Sequence, residues 1–389
     1  MNVAHTPEDL KNFLSLAVDV SPEHPIVITK FIEGAQELDV DAVASDGNLL
    51  IYAVSQHVEN AGVHSGDATL VFPPIYEHEQ NWKKDHVGIR GLTPKIVASS
   101  KEIAEKMAKA FKITGPFNMQ LILSRSLDNS DDFTLKVIEC NLRASRSFPF
   151  VSKVMDVNFI DVATRALVKS SDLKSILPKS DFMTAYKGPV KAVKCPVFSW
   201  TRLAGADPIL GVEMASTGEI ACFGKDLHEA YFTSLFSNHN NFKNLPMKEG
   251  SSVLLSLDEL SDPKEVKYVA EKLIKLGYGV FADDELTLKT INNKNVSLLT
   301  DSLPDLLDNT KQLGELYASK NVEAMFSFCR SRPRSPTSLK YRIRSASVSM
   351  GIGYLNDSKN ALLLVDCLES YVDGTRLKSD AVKSAVEWF

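Results

Sequence analysis

The sequence predicts an α/β protein in two parts, an antiparallel α+β unit followed by a parallel α/β domain, and three observations predict it. Gln36 to Val43 alternates polar and apolar residues and runs through Asp46-Gly47-Asn48 into Leu49 to Val54, the pattern of a half-buried hairpin. Two further apolar runs, one ending at Asn118-Met119-Gln120 and one spanning Leu135 to Leu142, flank the polar interruption Ser124 to Asp132. From Ser251 onward short apolar strands alternate with amphipathic helices, the texture of a parallel sheet covered on both faces.

Taken in order, Thr6 and Pro7 fit the N-cap and N1 places of a helix bearing Leu10, Phe13, Leu14 and Ala17. Pro25 to Thr29 reads as a short apolar strand, and Phe31 to Gly34 as a turn. Ile75 to Ile96, which holds Glu77, His78, Trp82, Lys83, Lys84 and His86 without a period, reads as a surface insertion. A helix over Ser100 to Phe111 follows, with Ile103, Met107 and Ala110 as its buried stripe. Val157 to Val168 is a helix, Ser170 to Lys187 a polar connection, and Asp207 to Glu219 a turn-rich loop before the strand Ile220 to Phe223. Helix Leu227 to Phe236 runs into Asn238-His239-Asn240-Asn241, a polar joint that marks a domain boundary.

Beyond it, strands are expected at Val253 to Ser256, Gly277 to Ala282, Val296 to Leu299, Glu323 to Phe328 and Ile352 to Leu355. Helices are expected from Asp262-Pro263 to Leu276, and over Asp284 to Ile291, Leu303 to Ser319, Tyr341 to Met350 and Ser358 to Tyr371. Such sheets bind ligands beyond their C-terminal strand ends, here near Asp283-Asp284, Thr300-Asp301 and Ser327 to Arg332. No G-x-G-x-x-G lies there, which disfavours a dinucleotide. The basic run Cys329-Arg330-Ser331-Arg332-Pro333-Arg334 reads as an exposed loop or an anion site.

With 389 residues the chain is long enough for two or three cores. Its net charge of −5 argues against nucleic acid or an anionic membrane as the main partner. No apolar run approaches the roughly 20 residues of a membrane span. The five scattered cysteines form no C-x-x-C and no zinc spacing, so reduced thiols in the cytoplasm, or alternatively the mitochondrial matrix, are expected.

The chemistry concentrates between Phe117 and Phe150. Strand side chains alternate, so Glu139 and Asn141 share a face, and a hairpin partner brings Gln120 to them. Three oxygen donors followed by Arg143 and Arg146 suit Mg²⁺ holding phosphate oxygens; an ordinary strand end followed by basic residues has the same look. Glu37, Asp39 and Asp41 share a strand face that is either solvated or a ligand site. The segment His57 to Asp67, with Gly62 and Gly66 around His64-Ser65, is either structural or an anion-binding backbone.

These motifs together resemble a family. Glu37-Leu38-Asp39-Val40-Asp41-Ala42, Ala61-Gly62-Val63-His64-Ser65-Gly66-Asp67, Gly115-Pro116-Phe117-Asn118-Met119-Gln120, the run Ile138 to Lys153 and Gly211 to Glu219 are similar to the C-terminal half of the carbamoyl-phosphate synthase large chain. The remainder resembles that family's Rossmann-like regulatory domain of methylglyoxal-synthase type. Tyr341-Arg342-Ile343-Arg344 is similar to the fungal arginine-specific chains. The resemblance implies a partial ATP-grasp domain over 1–170, the rest of the carbamoyl-phosphate synthetic unit over 171–248, and a regulatory domain over 249–389. It implies ATP- and Mg²⁺- or Mn²⁺-dependent phosphorylation of carbamate for arginine or pyrimidine synthesis, with a glutaminase chain or domain as partner. By position, Gln120, Glu139 and Asn141 would ligate the metal. Lys30, Ile32, Glu37, Gly62, Val63, His64, Ser65, Gln120 and Glu139 would hold ATP. Arg143 and Arg146 would hold the transferring phosphoryl group or carbamate.

Two departures qualify the resemblance. The family's glycine-rich phosphate loop and first synthase half are not in this sequence, so a fragment with little ATP turnover of its own is expected. The threonines that hold an effector phosphate in nucleotide-regulated members are replaced by Asp283-Asp284-Glu285, whose carboxylates would repel phosphate, so no nucleotide effector is expected. The alternative reading is a non-catalytic regulatory or interaction remnant of a synthase. A different ATP-grasp ligase is disfavoured by the second domain.

Overall fold

The computed structural model describes residues 3–4, 6–20, 23–77, 88–126, 131–185, 190–200, 207–238, 242, 245–307, 309–330 and 338–372. Its elements, in chain order, are α1 (Pro7–Val20), β1 (Gln36–Ser45), β2 (Asn48–Asn60), β3 (Leu70–Phe72), α2 (Pro94–Phe111), β4 (Gly115–Arg125), β5 (Phe133–Asn141), α3 (Phe148–Met155), α4 (Phe159–Leu167), α5 (Phe182–Ala185), β6 (Lys191–Val197), β7 (Gly218–Gly224) and α6 (Leu227–Ser237). There follow β8 (Ser252–Ser256), α7 (Pro263–Lys275), β9 (Gly279–Ala282), α8 (Glu285–Ile291), β10 (Val296–Leu298), α9 (Leu303–Leu306), α10 (Thr310–Ser319), β11 (Val322–Ser327), α11 (Leu339–Ser349), β12 (Gly353–Leu355) and α12 (Ser358–Val372).

The first seven strands make one antiparallel sheet in the order β5-β4-β1-β2-β3-β6-β7. Alternation divides β1: Leu38, Val40 and Ala42 join the core that takes in Ile96, Val97, Ala104 and Ala108 of α2 and Phe159 and Val162 of α4. Glu37, Asp39 and Asp41 fall on the opposite face. The last five strands make a parallel sheet, β10-β9-β8-β11-β12. Val253 and Leu255 of β8 enter one core with α7 and α12, while Leu254 enters another with Leu313 and Tyr317 of α10 and Ile343 of α11. Both faces are covered, as parallel strands require.

Several local expectations are corrected. Pro25 to Thr29 is not a strand: Ile26, Val27 and Ile28 lie exposed in coil, because the segment joins neither sheet and an unpaired strand has no stable ladder. Residues 75–96 are not a surface insertion at their ends, where Ile75, Ile89, Leu92 and Ile96 are buried; His78, Trp82, Lys83, Lys84 and His86 lie outside the described residues. α2 begins at Pro94 rather than Ser100, since Thr93 caps it by accepting from the Ile96 amide. The helix expected from Val157 starts at Phe159, capped by Asn158, after a separate α3 that ends at Asp156 in the left-handed region. The connection from Ser170 contains a turn of 3₁₀ helix at Leu173–Ile176 and then α5. Leu303 to Ser319 is broken into α9 and α10, with Asn309 capping the second.

Of the polar joint, Asn238 is described, and His239, Asn240 and Asn241 lie outside the described residues. Asn238 is buried, its Nδ2 donates to the Pro196 carbonyl, and α6 shares a core with β8, α7 and α12. Gly224, at the turn from β7 into α6, lets this packing form: a Cβ there would stand 2.3 Å from the Ala230 backbone nitrogen and 2.9 Å from the Asp226 oxygen. Gly224→Ala is expected to cost about 1–3 kcal/mol in a urea titration; an unchanged midpoint would show that α6 shifts freely.

Candidate active site

The ladders set the polar residues in rows. One row runs Ser55, Asp39, Gln120, Glu139 across β2, β1, β4 and β5; the next runs Ala53, Asp41, Asn118, Asn141. The hairpin brings Gln120, Glu139 and Asn141 together, as the sequence requires. A bulge between the Gln120 and Leu121 pairings leaves Ile138 unpaired immediately before Glu139, and such bulges at sheet edges re-aim the next side chain. Asn141 Nδ2 donates to Glu139 Oε1 at 2.7 Å, and Gln120 Nε2 donates to Ser65 Oγ. Both amide nitrogens are thereby engaged.

The face of β1 is not solvated. Glu37, Asp39 and Asp41 are 3%, 3% and 0% exposed. His57 Nε2 stands 3.4 Å from Asp39 Oδ2, and among the described residues Asp39 Oδ1 and His57 Nδ1 have no hydrogen-bond partner. Burial pushes Glu37 up to about 7, and Asp39 and Glu139 add to it against His57 and the Gly62 amide. Burial and then Asp39 raise Asp41 to about 6, against hydrogen bonds from Ser145, Ser147 and Asn118. Burial alone would lower His57, but Glu37, Asp39 and Glu59 outweigh it and hold the imidazole above its ordinary value.

The 61–67 loop is fixed from two sides. The His64 amide donates to the Gly211 carbonyl at 2.8 Å, and His64 Nδ1 accepts from the Gly66 amide at 3.0 Å. Asp67, fully buried, accepts from the amides of Ala215 and Ser216, each at 2.8 Å, and Lys194 Nζ donates to the Ser65 carbonyl at 3.3 Å. Gly62 has φ +113°, and the Phe31 ring lies where its Cβ would be, 2.7 Å away at the nearest atom. Gly62 and Val63 line a cavity of about 390 Å³ together with Phe31, Gly211, Cys329 and Asn356. Lys30 is exposed on the coil before β1 and Ile32 half-buried there.

Arg143 and Arg146 lie on the loop between β5 and α3. Arg143 is exposed and folds back to donate to the Ala144 carbonyl; Arg146 is also exposed, with Nη1 3.8 Å from Glu219 Oε1. Glu219, Asn118, Ser145 and Ser147 complete this corner and were not singled out from sequence. Asn118, two residues before Gln120 on the same strand face, could have been found by period; Glu219 could not.

In the second sheet, Asp283 and Asp284 do not stand free to repel phosphate. Lys340 reaches Asp283 at 2.8 and 2.9 Å and Asp284 at 2.8 Å, and Ser256 Oγ and Thr287 Oγ1 donate to Asp283. The strand end is filled by its own ion pair, a correction to the repulsion argument. Arg330 of the basic run stands 3.5 Å from buried Glu265; Ser331 to Arg334 lie outside the described residues. Among the described residues all five cysteines are free thiols, and no helix is long and apolar enough to cross a membrane. No group of three or more His, Cys, Asp or Glu among them could hold a metal. The candidate set of one carboxylate and two amide oxygens suits only a hard cation that shares its shell with a ligand.

No family model matches the chain. It is 44% identical over 387 residues to the arginine-specific large chain of mitochondrial carbamoyl phosphate synthase from Schizosaccharomyces pombe, covering 100% of this chain and 31% of that protein. The corresponding Neurospora crassa protein is 45% identical over 369 residues, 95% of this chain and 29% of that protein. A multifunctional protein of Dictyostelium discoideum is 40% identical over 380 residues, 96% of this chain and 15% of that protein. Among solved structures, N5-carboxyaminoimidazole ribonucleotide synthetase from Thermotoga maritima aligns over 61% of this chain and 58% of its own at a TM-score of 0.37 and 14% identity. The chain thus spans about three tenths of the arginine-specific relatives that it matches. Identity of this degree along the whole chain places it in the carbamoyl-phosphate synthase large-chain family.

Proposed function

We propose that this chain carries one wall of the ATP-grasp site at which a carbamoyl-phosphate synthase phosphorylates carbamate to carbamoyl phosphate. The observation that supports it most is the register that sets Gln120 against Glu139 and Asn118 against Asn141, beside the loop of Arg143 and Arg146. Glu139 with the oxygens of Gln120 and Asn141 would hold Mg²⁺ or Mn²⁺, which when bound supplies charge neutralisation for the phosphate oxygens. Ser65, held by Gln120 Nε2, and the rest of the 62–65 loop would lie against the nucleotide. Glu37 would meet the nucleoside, and Lys30 and Ile32 would join it only if the coil before β1 folds over the sheet. Arg146, poised near Glu219, would turn to the transferring phosphoryl group, with Arg143 beside it, where positive charge lowers the barrier.

The arginine-specific relatives favour arginine over pyrimidine synthesis, and the mitochondrial names of two of them favour the matrix over the cytoplasm. Ammonia would come from a glutaminase chain or domain. The parallel-sheet domain is assigned the regulatory role, without a nucleotide effector, since Lys340 and Asp283 occupy the strand end where a phosphate would sit.

Calorimetric titration of Mg·ATP into the 389-residue chain tests this. Glu139→Gln and Arg146→Ala are each expected to weaken binding by about 10–100-fold, the value of a charge-assisted contact, while Lys136→Ala, further along the same strand, leaves it unchanged. Equal affinities in all four proteins would refute the assignment.

A further inference from the structure

Ser147 occupies the N-cap of α3, where a serine hydroxyl ordinarily accepts a hydrogen bond from the first turn, yet it makes no such cap. Its Oγ donates instead to Asp41 Oδ2 at 2.5 Å. Ser145 Oγ donates to Asp41 Oδ1 at 2.6 Å, and the two hydroxyls are 2.8 Å apart. The third donor is Asn118 Nδ2, at 2.8 Å from Asp41 Oδ1, and Asn118 is the cross-strand neighbour of Asn141. Asp41 is 0% exposed in the middle of β1, an interior strand of the sheet, a costly place for a carboxylate when the strand needs only packing there. A local rule broken at a helix start, and a buried charge whose three donors all come from residues around the candidate site, point to a task beyond stability.

Resting on the proposed role of the arginines, we infer that Asp41 is a positioning residue: its carboxylate clamps the two serines that flank Arg146, and so fixes the direction in which Arg146 leaves the loop. Ser145 and Ser147 tie the backbone on both sides of Arg146 to a rigid strand. The same carboxylate, through Asn118, ties this loop to the strand pair that carries Gln120, Glu139 and Asn141. Arginine loop and oxygen ligands are thereby held to one reference point, the arrangement a phosphoryl-transfer site needs if its parts are to meet within a fraction of an ångström.

The test uses the 389-residue chain with inorganic pyrophosphate and Mg²⁺ as the probe, and hydrogen exchange of the amides of residues 142–147 as a second readout. Asp41→Asn and Ser147→Ala are expected to speed that exchange about tenfold and to weaken pyrophosphate binding about tenfold. Ser147→Thr, which keeps the hydroxyl, is expected to restore both; a merely structural serine gives no such split between alanine and threonine. Should Asp41→Asn fail to fold, the Ser147 pair decides. Unchanged exchange in Ser147→Ala, or failure of threonine to rescue it, overturns the clamp. Arg146→Ala binding pyrophosphate as tightly as the unaltered chain overturns the role of the arginine instead, a result read independently of the exchange data.

Discussion

Replacing Arg344 with alanine is expected to destabilise the chain by about 3–5 kcal/mol, the cost of orphaning one partner of a buried ion pair. The Arg344 side chain is 0% exposed although it belongs to α11, and its Nε and Nη2 reach the two oxygens of Asp207 at 3.0 and 2.8 Å. Burial works against the guanidinium, but Asp207 more than restores it, so its pKa is held above the ordinary value. Loss of the arginine strands Asp207 next to the parallel sheet, whereas Arg344→Lys keeps the charge and loses the two-pronged geometry, and is expected to cost less. The pair also anchors the 207–216 loop, whose Gly211 carbonyl holds the His64 amide and whose Ala215 and Ser216 amides hold Asp67. Arg344→Ala is therefore expected to weaken Mg·ATP binding as well as to lower the urea midpoint. A loss under about 1 kcal/mol would place the pair among ordinary surface contacts.

The second large effect is on pH. Burial raises Glu37 from 4.5 to about 7 and, with Glu59 adding, raises Asp357 from 3.8 to about 7. Such carboxyls hold a proton more tightly in the folded chain than in the unfolded one. The folded state then binds more protons between about pH 4.5 and 7, and stability falls as pH rises through that window. His57, held high by its carboxylates, acts in the same direction. At about 1.4 kcal/mol per pH unit, Glu37 alone contributes on the order of 3 kcal/mol across the window. Asp172, Glu369 and Asp284, which are lowered, act below about pH 4.5 and leave it untouched. Urea midpoints are expected to be higher at pH 5 than at pH 8, and Glu37→Gln to flatten the difference. A midpoint that climbs with pH, or a slope unaltered in the variant, would show that these carboxyls are ionised and compensated in the fold.

Much of the architecture was legible. Period-two alternation in Gln36 to Val43 and the Asp46-Gly47 turn defined β1 and β2, and the strand-helix alternation after Ser251 defined the parallel sheet, down to the helix start at Asp262-Pro263. The errors have a common origin. Pro25 to Thr29 has strand composition without a sheet neighbour, and residues 75–96 look polar while four of their isoleucines and leucines are buried. Periodicity reports which residues could face a core; it does not report which element arrives to cover them.

The sequence by itself determined the two-part α/β class, the hairpin that brings Gln120 to Glu139 and Asn141, and the family resemblance, because each rests on a local period or a contiguous motif. Only the tertiary structure decided that Glu37, Asp39 and Asp41 are buried, that Ser147 serves Asp41 rather than its own helix, that Lys340 fills the strand end at Asp283, and that Arg344 holds Asp207. Those partners are 57 to 137 residues apart in the chain. The energy of a charge depends on whether such a distant partner meets it in a low-dielectric interior, and no local pattern carries that information.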